Sequence, residues 1–210
     1  MLQFITHNTE KYNTIEGAKL ALEGGCRWIQ LRMKDSSEDE IFRAGFIIQQ
    51  LCFKYGATLI IDDHVSICKM LNADGVHLGK NDMCPLEARE ILGENKVIGG
   101  TANTFDDIVS LVQKGVDYVG LGPFRFTTTK KNLSPILGLD GYIDIIKKCD
   151  EANINIPIIA IGGINKEDIS EISESGIAGI ALSSTILNSD NPVNETIEII
   201  KIIEKYNKKY

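Results

Sequence analysis

Short apolar runs alternate with longer segments of helical periodicity along the chain, and this alternation constrains the fold more than any other feature. Eight runs have the length and composition of buried strands, namely Leu2–Thr6, Trp28–Leu31, Thr58–Ile61, Gly75–Leu78, Val97–Gly99, Tyr118–Leu121, Ile158–Ile161 and Gly179–Leu182. Helical patterns lie between and after them, for example Glu38–Tyr55, Pro85–Leu92, Thr104–Lys114, Leu139–Asn153, Lys166–Ser175 and Val193–Tyr206. Such alternation produces parallel strands joined by right-handed crossovers. Eight units predict an α/β fold, a single (β/α)8 TIM barrel formed by one domain over 1–210. A doubly wound open sheet is the alternative.

Glycines recur just before the predicted strands. Gly24, Gly56, Gly115 and Gly176 each stand between a helical pattern and the next apolar run. A glycine at this position is typical of a helix C-cap followed by a tight turn. These residues therefore favour short connections, which suit a barrel near the lower size limit of its class.

Composition limits the partners that the chain can have. It carries a net charge of −7, which disfavours nucleic acid or an anionic membrane as the main partner. No apolar run approaches membrane-spanning length and no basic leader precedes the first strand, so a cytoplasmic location is predicted. The five cysteines include no CxxC pair, which favours reduced, buried thiols over zinc or disulfides. A homo-oligomer is compatible with these features.

A barrel predicts that functional residues cluster at the carboxyl ends of the strands. After the second strand, alternation places Gln30, Arg32 and Lys34 on one side. Cations at a barrel mouth are costly to bury without an anionic partner. The pattern therefore indicates an anion site, centred on Arg32, although Lys34 could instead be an ordinary surface charge.

Carboxylates follow the third and fourth strands. Asp62 and Asp63 end the third strand, and Asp82 follows the fourth. Neighbouring strand ends are close enough for Asp63 and Asp82 to share an ion, and oxygen ligands beside phosphate favour Mg²⁺. The alternative for Asp62 is a cap on the next helix.

A glycine-rich loop with hydroxyls and ammonium groups follows the sixth strand. It contains Thr127, Thr128, Thr129, Lys130 and Lys131, which together could bind phosphate oxygens. From the residues alone this loop could serve either of two anionic sites, or be an exposed basic loop.

A second group of phosphate-binding features follows the last two strands. Gly163 follows the seventh strand, and Ser183 and Ser184 follow the eighth. Many barrels bind a phosphate between these two loops. The mouth is thus predicted to hold one phosphate here and another at Arg32, Lys34 and Lys130. Two anionic sites and one Mg²⁺ suggest a reaction that joins a phosphorylated acceptor to a diphosphate-activated donor.

The histidines and Thr101 are less informative. His77 lies inside an apolar strand, so a hydrogen-bonded core histidine is predicted. His64 is expected to be more exposed, and the sequence leaves the role of His7 open. Thr101 could present its hydroxyl at the mouth or begin the turn toward the next helix.

Several motifs in order resemble the thiamine-phosphate synthase family over nearly the whole chain. They are Gln30–Lys34, Asp62–Asp63, Ala73–Gly79, Gly122–Pro123 with Thr127–Lys130, and Ile161–Ile164. The resemblance implies a (β/α)8 transferase of thiamine biosynthesis. Its reaction couples 4-amino-2-methyl-5-(diphosphooxymethyl)pyrimidine to a thiazole phosphate, giving thiamine phosphate and pyrophosphate. The partners implied are therefore phosphorylated small molecules.

The resemblance also implies a role for individual residues. The pyrimidine diphosphate would be bound by Gln30, Leu31, Arg32, Met33, Lys34, Asp62, Thr101 and Lys130. The thiazole phosphate would be bound by Thr127, Thr128, Thr129, Gly163, Ser183 and Ser184. Mg²⁺ would be held by Asp63 and Asp82, and the catalytic cations would be Arg32, Lys34 and Lys130.

The chain departs from the family pattern at a few positions. Asp62 and His64 stand where the family usually has Asn and Arg, Lys80 stands where it often has Gln, and Thr101 replaces Ser. One alternative is a thiazole tautomerase-like isomerase, but Ala102 and Asn103 leave no histidine in the loop after Thr101. Another is a non-catalytic phosphate-binding barrel, which would lack the metal pair or the leaving-group cations.

Overall fold

Eight parallel strands close into one barrel in the computed structural model, which describes residues 1–126 and 135–206. The strands are β1 (Leu2–Ile5), β2 (Trp28–Leu31), β3 (Thr58–Asp62), β4 (Gly75–Leu78), β5 (Val97–Ala102), β6 (Tyr118–Leu121), β7 (Ile158–Ile161) and β8 (Gly179–Leu182). Each strand pairs in parallel with the next, and β8 pairs with β1 through the register Gln3–Ala181. The predicted (β/α)8 fold is therefore confirmed, and the open-sheet alternative is wrong.

Helices follow the strands around the outside. In the described ranges they are α1 (Thr14–Glu23), α2 (Glu38–Tyr55), α3 (Val65–Leu71), α4 (Pro85–Leu92), α5 (Phe105–Gln113), α6 (Gly138–Glu151), a 3-10 turn (Lys166–Asp168), α7 (Ile169–Glu174), α8 (Ser184–Leu187) and α9 (Pro192–Tyr206). Asn13, Ser37 and Thr104 begin α1, α2 and α5 with reciprocal capping boxes, which satisfy the first backbone donors. Gly56 ends α2 in the left-handed region, as the sequence predicted for a C-cap.

The core has two parts because strand residues alternate in direction. The larger part fills the space between strands and helices and includes Phe4, Ile29 and Leu31. The smaller part lies inside the barrel and includes Ile5, Tyr118 and Ile159. The interior is therefore a packed core, and ligands can approach only at its ends.

Strand β5 is longer than the sequence predicted. It runs to Ala102 instead of stopping at Gly99, so Thr101 is a strand residue and Thr104 starts the next helix. All five cysteines are free thiols, four of them buried and Cys84 partly exposed. None of the helices in the described ranges has the length and apolar character needed to cross a membrane.

Candidate active site

The polar side chains that follow β2 meet the carboxylates at the end of β3. Gln30 Nε2 donates a hydrogen bond to Asp62 Oδ1 at 2.7 Å. Arg32 Nε lies 3.5 Å from Asp62 Oδ2, and Lys34 Nζ lies 3.1 Å from Asp63 Oδ2. The residues that alternation placed on one side therefore converge on the same pair of carboxylates at the barrel mouth.

Asp62 is a buried carboxyl between these donors. It is 7% exposed, and its pKa is raised to about 7, first by burial and then by the charge of Asp63. The suggestion that an aspartate caps α3 is wrong: the N-cap position is His64, and the described side chains form no cap hydrogen bond there. Asp62 instead orients Gln30 and Arg32.

Asp63 and Asp82 are brought together from neighbouring strand ends, as the sequence predicted. Asp63 has a positive φ of 64°, and its N–H donates to the His77 carbonyl at 2.9 Å, which turns the residue toward β4. Asp82 Oδ2 accepts from the Gly79 N–H at 2.7 Å. Burial and a side-chain hydrogen bond with Asp63 raise the pKa of Asp82. Two adjacent carboxyls have the oxygen chemistry that suits a divalent cation.

The loops after β7 and β8 form a second corner of the mouth. Ser183 Oγ donates to the Ile5 carbonyl and lies 2.6 Å from His7 Nδ1. Since the single hydroxyl proton of Ser183 is used for Ile5, His7 Nδ1 is the donor to Ser183. Gly163 has a φ of 70°, which favours glycine, and Ser184 begins α8. Ser183 is therefore fixed from both sides, and Thr185 Oγ1 links its loop to the loop of Gly163 by donating to the Ile164 carbonyl at 2.6 Å.

Arg125 joins the loop after β6 to this corner. Its guanidinium donates to the Gly163 carbonyl at 3.0 Å and to the two carboxylate oxygens of Asp168 at 2.7 and 2.9 Å. The Arg125 N–H also donates to the Gly162 carbonyl at 2.9 Å. A Cβ on Gly163 would lie 2.8 Å from the carbonyl oxygens of Arg125 and Phe126, so only glycine fits this contact. Arg125 was not predicted as a site residue, since nothing in a lone arginine after Gly-Pro-Phe indicates its partner 43 residues away.

His7 is the other residue whose place the sequence left open. It lies between the carboxylate side of the mouth and the Ser183 corner. It is hydrogen-bonded to Ser183 and close enough to Arg32 for an electrostatic interaction. Burial, followed by the charge of Arg32, lowers the pKa of His7. Its position directly after the first strand was the available signal, because that position is part of the mouth in a barrel.

Thr101 lies at the end of a buried polar network. Its Oγ1 is 3.0 Å from His77 Nε2, and His77 Nδ1 is 3.0 Å from Tyr118 Oη. Gln3 Nε2 donates to Tyr118 Oη at 3.3 Å. His77 is thus the hydrogen-bonded core histidine that the sequence predicted, although it also contacts Thr101 at the mouth.

The remaining residues that the sequence singled out lie in three different environments or outside the described part of the chain. The Leu31 side chain belongs to the outer core, and the partly buried Met33 side chain packs against that core. Lys80 Nζ donates a hydrogen bond to Asp107 Oδ2 at 2.6 Å. The loop residues Thr127, Thr128, Thr129, Lys130 and Lys131 lie outside the described residues.

Comparison with known proteins gives a consistent result. Residues 2–186 match the family model described as thiamine monophosphate synthase. A thiamine-phosphate synthase of Phocaeicola vulgatus is 60% identical over 96% of this chain and 97% of its own length. One from Flavobacterium psychrophilum is 46% identical over 99% and 98%. A solved thiamine phosphate pyrophosphorylase from Pyrococcus furiosus, 33% identical, superposes with a TM-score of 0.85 over 98% of this chain and 96% of that one. The chain belongs to the thiamine monophosphate synthase family.

Proposed function

We propose that this protein is a thiamine-phosphate synthase, a transferase that joins the pyrimidine diphosphate to the thiazole phosphate and releases pyrophosphate. The observation that carries the proposal is the convergence of Arg32 and Lys34 with three carboxyls at one side of the mouth, opposite the Gly163–Ser183 corner. A family member with both halves of this arrangement has the groups that a diphosphate donor and a phosphorylated acceptor require.

The donor side is suited to the departure of a diphosphate. As the bond between the pyrimidine methylene carbon and the diphosphate oxygen breaks, the electron pair leaves with the diphosphate, and the pyrimidine ring stabilises the methylene cation. Arg32 and Lys34, with Lys130, which follows the sixth strand in the sequence, would stabilise the negative charge that develops on the leaving group. The thiazole nitrogen then forms the new bond to the methylene carbon. No proton transfer and no protein nucleophile is required.

Asp63 and Asp82 are the residues that would hold Mg²⁺. Two adjacent carboxyls with Asp82's pKa raised fit a hard cation with oxygen ligands. Among the described residues, no three or more His, Cys, Asp or Glu side chains are arranged so that together they could hold a metal ion. An ion there would therefore complete its coordination with water and phosphate oxygens, which is the usual preference of Mg²⁺. When bound, it supplies neutralising charge to the diphosphate.

The acceptor side is suited to one phosphate group. Gly163, Ser183 and Ser184 would contact it, together with Thr127, Thr128 and Thr129. With the Ser183 hydroxyl proton directed to Ile5, the serine backbone N–H is the donor available at that residue. His7 holds that hydroxyl in place on the other side.

The proposal is tested by incubating the protein with the pyrimidine diphosphate, the thiazole phosphate and Mg²⁺ and measuring pyrophosphate and thiamine phosphate. Stoichiometric formation of both is expected. Lys34→Ala should reduce turnover strongly. Lys96→Ala should not, since Lys96 bonds Asn72 away from the mouth. Bound substrates without product would overturn the synthase assignment and favour a non-catalytic barrel. A thiazole isomer as product would favour the tautomerase alternative.

A further inference from the structure

A hydrogen-bond chain runs through the barrel interior from its lower layer to the mouth. It links Gln3, Tyr118, His77 and Thr101 at distances of 3.3, 3.0 and 3.0 Å, and we call it the buried relay. The first three residues are between 2% and 7% exposed, and only Thr101 is partly accessible. The buried polar groups of such a site are costly unless they are bonded to one another.

Two glycines inside neighbouring strands make room for the rings of the relay. A Cβ on Gly99 would lie 2.2 Å from Tyr118 Cζ and 2.5 Å from its hydroxyl. A Cβ on Gly120 would lie 3.1 Å from His77 Cε1. Glycine weakens a strand because it has no side chain to pack. Glycine at both positions therefore indicates that the rings of Tyr118 and His77 occupy the space that a side chain would need.

One direction of the hydrogen bonds uses every proton within the relay. Gln3 Nε2 donates to Tyr118 Oη, and the single tyrosine proton then has His77 Nδ1 as its acceptor at 3.0 Å. His77 Nδ1 is then an acceptor, which leaves the ring proton of the neutral imidazole on Nε2. That proton is donated to Thr101 Oγ1. The hydroxyl proton of Thr101 is consequently not directed at His77.

We propose that Tyr118 and His77 are positioning residues that turn the Thr101 hydroxyl proton toward the leaving diphosphate. The inference rests on the proposed function, because it assigns the donor group to that reaction. Thr101 faces the same interior as Gln30 and Arg32, and its hydroxyl would add an oriented donor to the cations. With the opposite direction along the relay, Thr101 would donate to His77 and present only lone pairs to an anion.

The first test reads the tautomer of His77 directly. The protein, labelled with ¹⁵N-histidine, is studied by NMR at pH 8 without substrate, with His7→Gln and His64→Gln used to assign its three histidines. The expected result is a neutral His77 protonated on Nε2. A proton on Nδ1, or an imidazolium, would overturn the proposal. The experiment requires no variant of the relay to fold.

The second test separates positioning from packing. Tyr118→Phe keeps the ring but removes the hydroxyl, so kcat should fall by about 5- to 50-fold, less than the loss of a direct oxyanion donor. The KM for the pyrimidine diphosphate should change little, because the donor acts on charge that develops during departure. Tyr142→Phe is the matched control, since Tyr142 is equally buried but its hydroxyl bonds the backbone of Leu121 and Ile161. Its kcat should stay within about twofold of the parent.

A double-mutant cycle decides whether the effect passes through Thr101. In a Thr101→Val background, Tyr118→Phe should lower kcat by less than about twofold, because the hydroxyl it orients is already absent. Equal effects in both backgrounds would overturn the relay. Failure of the proposed function has a different signature: no thiamine phosphate from a parent protein whose His77 carries its proton on Nε2.

Discussion

Replacing Arg125 by methionine tests whether the loop after β6 controls acceptor binding. Methionine keeps an unbranched apolar stem but loses the guanidinium. The change removes the two hydrogen bonds to Asp168, at 2.7 and 2.9 Å, and the bond to the Gly163 carbonyl at 3.0 Å. The backbone bond from Arg125 to Gly162 remains. The change also removes the guanidinium from its place over the Phe124 ring, 5.2 Å from the centroid, and its other effects are limited to side-chain contacts that join two loops of the mouth.

The size of the effect follows from exposure and geometry. The Arg125 side chain is 47% exposed, so its ion pair with Asp168 should be worth only about 0.2–1 kcal/mol. The charge-assisted bond to the Gly163 carbonyl adds about 1 kcal/mol. If these contacts hold Gly163 in its binding position, about 1–2 kcal/mol of the acceptor's binding free energy must be used to order Gly163 in the variant. Its affinity should then fall by about 5- to 30-fold.

Steady-state kinetics measure this directly. With the pyrimidine diphosphate saturating, Arg125→Met should raise the KM of the thiazole phosphate by that factor. The KM of the pyrimidine diphosphate should stay unchanged, because Arg32 and Lys34 lie on the other side of the mouth. Arg89→Met is the matched control: Arg89 also pairs with an aspartate, Asp117, and bonds backbone carbonyls, but between α4 and the start of β6. It should lower the melting temperature and leave both KM values unchanged.

Two results would refute this reasoning. An unchanged acceptor KM in Arg125→Met would show that Gly163 keeps its position without the guanidinium. The second would be an acceptor KM that is unchanged or lower in Asp168→Asn. Such a result is expected if Arg125 contacts the phosphate directly, because this substitution removes the carboxylate that pairs with the guanidinium. If the ion pair holds Gly163 in place, Asp168→Asn raises the acceptor KM, with an effect that is less than additive with Arg125→Met.

Three further predictions address the interior and the mouth. The pKa of His7 should be below its ordinary value of 6.5 and rise in Arg32→Gln while staying below that value, because burial is the larger cause; NMR titration measures it. Since the unfolded state then takes up a proton first, stability should fall as pH drops below 6.5 through the folded pKa, and His7→Gln should flatten this slope in urea unfolding. Gly99→Ala should displace the ring of Tyr118, whose Cζ would lie 2.2 Å from the new Cβ, and cost about 1–3 kcal/mol of unfolding free energy. Tyr142→Phe should cost about 1–3 kcal/mol in the same assay, because buried backbone partners lose their bond.

The barrel itself was readable because its signal is periodic and repeated. Strands such as Trp28–Leu31 and Gly75–Leu78, and helices such as Glu38–Tyr55, have the bounds that the sequence predicted. The error at β5 has a physical cause. Gly99 and Gly100 read as the end of a strand, but Gly99 is there to accommodate Tyr118 and Gly100 lies against Leu111. A glycine required by a neighbouring ring cannot be distinguished from a turn glycine in a single sequence.

The site could be predicted from the sequence only where the spacing of residues along a strand determines which way their side chains point. Alternation placed Gln30 and Arg32 together, and the barrel placed Asp63 beside Asp82. The links between distant segments were not readable, because the bonds of Arg125 to Asp168 and of Gln3 to Tyr118 depend on side chains from strands or loops far apart in sequence. A polar residue whose partner is distant in the sequence does not repeat at a helical or strand spacing, so no periodic pattern reveals the contact.

The ion pairs of the mouth also explain how an acidic protein can bind two anions. Without ligands, Arg32 and Lys34 are paired with Asp62 and Asp63, so neither cation is without a carboxyl partner. A diphosphate would compete with these carboxylates for the cations, and a divalent ion would compete with Lys34 for Asp63. Each ligand therefore releases a group that the other one needs, since the carboxylate freed by the diphosphate can accept the metal. If Asp63 holds the metal as proposed, the diphosphate and the metal are expected to bind more tightly together than alone, despite the net charge of −7.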